Sequence, residues 1–187
     1  MEIRRTVGRP GLAAGEPLQA APLDELLRLS DEDLLGGAVD DRNMAGAVRA
    51  GLLLLADRMD ESHELSQGIK TPEGSYWHGI LHRREPDYSN AKHWFRHVGD
   101  HPVFVELARA PSESSGEAGP ALREAARNGK WDPFRFIDLC EECVTGARPL
   151  LREELEAIQE REMDLLLAFC TRRAAGRNTF DRSGGAP

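Results

Sequence analysis

Long apolar runs are missing from this chain of 187 residues: the four leucines at 52–55 make little more than one helical turn. A membrane-spanning helix needs about 20 such residues. The N-terminal stretch carries Arg4 and Arg5 but no apolar core, so a secretory signal is not expected. Cysteine is scarce, and the three present are an odd number without framework spacing, which suits a reducing cytoplasm. Positive charge is in deficit. A net charge of −8 argues against general nucleic-acid binding, which wants a basic footprint. Strict apolar/polar alternation is absent too, so no stretch makes a convincing strand. The expected class is all-α, a single irregular helical bundle with two long helices and several short ones.

Turn and cap residues divide what is there. Residues 1–21 are rich in Gly, Pro and Ala and are expected to form an extended N-terminal arm, followed by a helical domain over 22–173 and a flexible Gly-rich tail over 174–187. Between 23 and 35 two short helical turns are expected, with Ser30 capping the second. The first long helix is expected over 41–67, capped by Asp40 or Asp41 and closed by Gly68. Its apolar stripe is Met44, Val48, Leu52, Leu55 and Met59, and one further step of four lands on His63. Residues 111–120 read as a loop, and 121–128 as a short helix closed by Gly129. The Asp132-Pro133 pair starts a helix running to Thr145. The last helix, over 149–173, carries Leu151, Leu155, Ile158, Leu165 and Phe169 in one seam that Glu162 interrupts.

Chemistry concentrates between residues 71 and 102, which hold five of the six histidines, two of the three tryptophans and both tyrosines. Thr71 with Pro72 starts a helix that Pro86 stops near Glu85. Asp87 caps a second helix ending at Gly99, and Asp100 caps a third. His78 and His82 are four residues apart, so both imidazoles share one helix face, as in pairs that hold a metal together. Glu85 follows on that face, but about 10 Å along the axis from His78. A divalent metal would therefore need a ligand from elsewhere, and His63 and Glu162 on core-facing stripes are the candidates. Ordinary hydrogen-bonded or exposed histidines give the same spacing, and the His-Glu-x-x-His and Glu-x-x-His markers are absent.

Arg83, Arg84, Lys92 and Arg96 outnumber the nearby carboxylates Glu85, Asp87 and Asp100, which suits a small anion. Tyr76, Trp77 and Trp94 could stack on a sugar or flat ring, and Asn90 adds an amide. The competing reading is internal pairing of the arginines with Glu85, Asp87 or Glu162. His93 and His97 share a face with Asn90 and read as a solvated surface. Cys140 and Cys143, spaced as a redox pair, sit mid-helix and read as core packing.

The run Tyr76-Trp77-His78, His82-Arg83-Arg84-Glu85-Pro86-Asp87, Asn90-Ala91-Lys92, Trp94-Phe95-Arg96 and Gly99-Asp100-His101-Pro102 resembles the signature of a family of uncharacterised, mainly bacterial helical proteins. Trp131-Asp132-Pro133-Phe134 echoes it. The resemblance implies a helical fold and a site around these residues, and no activity. The chain departs from the family pattern at His93 and His97, where an aromatic residue and an arginine are more usual, so His78, His82, Arg83, Arg84 and Glu85 lead.

The expected function is a pocket for a small polar, anionic metabolite. In it His78, His82 and Glu85 are the acid–base candidates, and Tyr76, Arg83, Arg84, Asn90, Trp94 and Arg96 the ligand contacts. The alternatives are a metal-dependent enzyme with ligands among His63, His78, His82 and Glu162, or an interaction module meeting a protein partner.

Overall fold

The computed structural model describes residues 10–17, 21–113 and 119–176. Ten α-helices occur among the described residues: α1 (Ala21–Leu26), α2 (Asp31–Leu35), α3 (Arg42–Leu55), α4 (Met59–Gly68), α5 (Pro72–Arg84), α6 (Tyr88–Val98), α7 (Pro102–Glu113), α8 (Pro120–Ala125), α9 (Pro133–Val144) and α10 (Arg152–Ala174). Among the described residues the protein is all-α, with a 3-10 turn at Pro149–Leu151 and one ribbon of two-residue strands besides. No described helix is long and apolar enough to cross a membrane.

Side-chain caps fix several helix starts. Ser30, Asp41, Thr71, Asp87 and Asp132 each accept a backbone N–H from the first turn. α7 departs from expectation: His101 rather than Asp100 meets its first turn, with Nδ1 accepting the Val103 N–H at 3.2 Å. α7 also runs through Pro111 to Glu113, further than the turn-rich composition there suggests.

The expected helix over 41–67 is two helices. Ala56–Arg58 breaks it, with Asp57 in the left-handed region at φ 57°. The Arg84 guanidinium donates to Asp57 Oδ1 at 2.5 Å and to the Leu54 carbonyl at 2.8 Å, so a distant arginine holds the break. Among the described helices only α10, at 23 residues, is long. The ribbon pairs Ala126–Arg127 (β1) with Lys130–Trp131 (β2). Asn128 and Gly129 between them have φ 54° and 70°, the geometry that Asn-Gly supplies to a tight hairpin.

α3 packs against α4 and α10, and α5 against α4 and α6. Their shared core holds Val48, Leu52, Trp77, Ile80, Leu81, Phe95, Leu155 and Leu166. Part of the expected arm belongs to that core, because Leu12 is buried and Gly11 O accepts from Arg84 and Gln159. Residues 1–9 and 18–20 of the expected arm, 114–118 of the expected loop and 177–187 of the expected tail lie outside the described residues.

Glycine sets the closest approach of α5 to α6, because a Cβ on Gly79 would come within 2.7 Å of Phe95 Cδ2. Gly79→Val is expected to destabilise the fold by about 2 kcal/mol through overpacking, although leaving glycine favours a helix by about 1 kcal/mol. A urea-unfolding midpoint equal to that of the parent would contradict this.

At the surface Glu124 and Glu142 share Arg135 and Arg148. Hydrogen bonds from Arg148 and Arg135 hold the Glu124 carboxyl down at about 2. A depressed carboxylate stabilises the fold above its unfolded value of 4.5 and loses that contribution as pH falls toward 2. Glu124→Gln should therefore narrow the gap between urea midpoints at pH 7 and pH 3. An unchanged gap would remove this network from the acid response.

Candidate metal centre

His63 enters from α4, and His78 and His82 come from successive turns of α5. One ring nitrogen from each lies within 4.8 Å of the others. The ring centroids are 4.5 Å apart for His63–His78, 4.6 Å for His78–His82 and 5.4 Å for His63–His82. His78 and His82 are buried, while His63 is half-buried and forms the solvent side.

The hydrogen bonds around these rings decide where the protons sit. The Ser66 hydroxyl donates to the His63 carbonyl at 3.3 Å, so its oxygen is left to accept from His78 Nδ1, also at 3.3 Å. His82 Nδ1 donates to Glu85 Oε2 at 2.9 Å. With both protons on Nδ1, each ring keeps the Nε2 lone pair, the arrangement of metal-ligating histidines whose other nitrogen is held by an outer acceptor. His82 Nε2 accepts from Asn90 Nδ2 at 3.1 Å.

Burial above all, with the charges of His82, His63 and Lys70, pushes His78 down to about 3. Burial also lowers His82, against the opposing pull of Glu85. Both imidazoles are neutral at pH 7, as metal binding requires. Trp94 from α6 stacks on His78 with centroids 4.0 Å apart and planes at 27°. It covers the outer face of that ring.

The cluster therefore joins His63, His78, His82, Glu85, Asn90 and Trp94. Glu85 sits behind a histidine as its hydrogen-bond acceptor. Two expected contributors go elsewhere because helix geometry turns them away. Arg83 and Arg84 stand about 100° and 200° around α5 from His82. Arg83 is fully buried against α10, where Nη2 meets Glu162 Oε2 at 2.5 Å and Gln159 Oε1 at 3.2 Å over the Phe136 ring. Arg84 is spent on the α3–α4 break. Glu162, expected as a ligand, is the partner of Arg83 and accepts the Tyr76 hydroxyl at 3.0 Å, so neither Glu162 nor Tyr76 reaches the histidines. Arg96 is exposed on α6, and no described contact ties it to the cluster.

Lys92 pairs with Asp138. His93 and His97 are exposed and near each other, with centroids 4.9 Å apart. Cys140 and Cys143 are buried free thiols, and burial pushes Cys140 up to about 12. Ser66 has no sequence motif of its own, yet its place three residues after His63, on the same face of α4, is a readable signal.

No protein-family model matches this chain, and comparison with curated proteins and with solved structures returns no match.

Proposed function

We propose that the protein is a metal-dependent enzyme that binds one divalent transition-metal ion, of the zinc class, through His63, His78 and His82. The observation that carries this reading is the convergence of three imidazoles, from His63, His78 and His82, on a space small enough for one ion. Three histidines leave a fourth position of a tetrahedral ion for water or substrate, as catalytic rather than structural zinc sites do. Bound there, the ion would lower the pKa of water and polarise an oxygen of the substrate.

The protein's own part is orientation. Ser66 and Glu85 hold the imidazoles by Nδ1, Trp94 shields one ring, and the half-buried His63 leaves the approach from solvent. With an ion bound, the Asn90 amide would give up His82 Nε2 and be free to bond a ligand at the open position. The substrate class is a small polar molecule offering an anionic oxygen to the metal, with Lys70 close enough to favour negative charge. Glu85 is a positioning residue in this scheme.

Equilibrium dialysis of untagged protein against zinc tests the reading. One tightly held zinc per chain is expected, and none in the His78→Ala, His82→Ala double variant. Equal zinc in the two proteins would end the proposal.

A further inference from the structure

A half-open cleft of about 850 Å³ lies between α7, β2 and the C-terminal half of α10. It shares no residue with the histidine cluster, and its volume falls within the range of small-molecule sites. Its walls are apolar, with Val103, Phe104, Leu165 and Phe169 contributing.

Two buried nitrogens on its lining lack a hydrogen-bond partner among the described residues: Trp131 Nε1 and His101 Nε2. An indole nitrogen can only donate. His101 Nδ1 already accepts the Val103 N–H, so the His101 proton is on Nε2. It faces the buried Glu73 carboxylate, with Oε1 at 3.7 Å. Trp131 Nε1 is therefore the donor on the lining without an acceptor nearby, an arrangement that buried polar groups seldom keep unless something supplies one.

The charges agree. Glu106 is taken by Arg109 at 3.1 Å, leaving Asp100 alone against Lys130 and Arg172, neither of which has a carboxylate partner among the described residues. Apolar walls, an indole donor without an acceptor and a basic excess specify an apolar body ending in an anionic acceptor.

We infer that this cleft binds a small amphipathic carboxylate, its acyl or aryl body against Phe104, Leu165 and Phe169 and its head group at the rim formed by Trp131, Lys130 and Arg172. The site is independent of the metal proposal and stands or falls without it.

The test is calorimetric titration of the full chain with octanoate and with 3-phenylpropionate, using octanol as the uncharged control. At least one acid should bind saturably at one per chain, with octanol at least ten-fold weaker. Lys130→Glu with Arg172→Glu alters exposed side chains only, and should weaken the acid at least ten-fold with an unchanged melting temperature. Trp131→Phe, which keeps an aromatic ring though a smaller one and removes the donor, should weaken it as well. The inference is overturned if neither acid binds, if octanol binds equally, or if the charge-reversed protein binds as tightly as the parent.

Discussion

Glu162→Ala is expected to destabilise the protein by about 3–5 kcal/mol, because it strands the Arg83 guanidinium in the core without its counter-charge. Both side chains are fully buried, so water cannot replace the lost partner. Burial works most strongly against the charge on Arg83, and Glu162 together with Cys140 and Tyr76 more than offsets it. The removed carboxylate also accepts from Tyr76, whose hydroxyl would become a second orphan. Against a total stability of about 5–15 kcal/mol, a loss of this size would leave the variant partly unfolded at 37 °C.

Replacing both partners at once, Arg83→Met with Glu162→Leu, should be far milder, since apolar groups of similar volume do not need each other. Urea unfolding of the three proteins checks the pair. A loss under about 1 kcal/mol for Glu162→Ala would contradict the account, as would a double variant no better than the single.

Single replacements within the histidine cluster carry the other large effect. His63→Ala, His78→Ala and His82→Ala should each weaken zinc binding by more than about 100-fold, the upper end of what loss of an outer hydrogen-bond partner costs. Glu85→Gln and Ser66→Ala should fall within about 10–100-fold, since they hold rings rather than the ion. The ranking distinguishes a built centre from chance capture by imidazoles. The exposed His93 and His97 pair is the internal control, and replacing both with alanine should leave the affinity unchanged. Because the ion binds the folded chain, zinc at 100 times its dissociation constant should add about 2.7 kcal/mol of stability to the parent. The single histidine variants should lose most of that increment. Equal losses in the control and the cluster would reduce the centre to surface binding.

The local rules of helix start and stop were legible at α5 and α6, where Thr71-Pro72, Asp87 and Gly99 mark the ends that the structure has. They were not legible at Ala56–Arg58. Nothing local opposes helix there, and the break depends on Arg84, 27 residues away. His63 falls on the extended stripe of α3 in the sequence, yet it reaches His78 because the break redirects α4 onto α5.

The arginines show the reverse. Composition put Arg83 and Arg84 with the histidines, but 100° of rotation per residue already separates them from that face. Their destinations, Glu162 on α10 and Asp57 at the break, are tertiary facts. At 121–129 the expected helix closed by Gly129 is instead a helix followed by an Asn128-Gly129 hairpin, whose flanking strands of two residues are too short to show alternation. The cleft beside α7 left no trace in the sequence, since it is lined by three elements far apart along the chain.

Zinc K-edge X-ray absorption on the one-to-one complex tests the central claim most directly. The account predicts three imidazole nitrogens at about 2.0–2.1 Å and one light exchangeable ligand, with the imidazole count falling in His78→Ala. A first shell made mainly of oxygens, or one unchanged by that substitution, would contradict it.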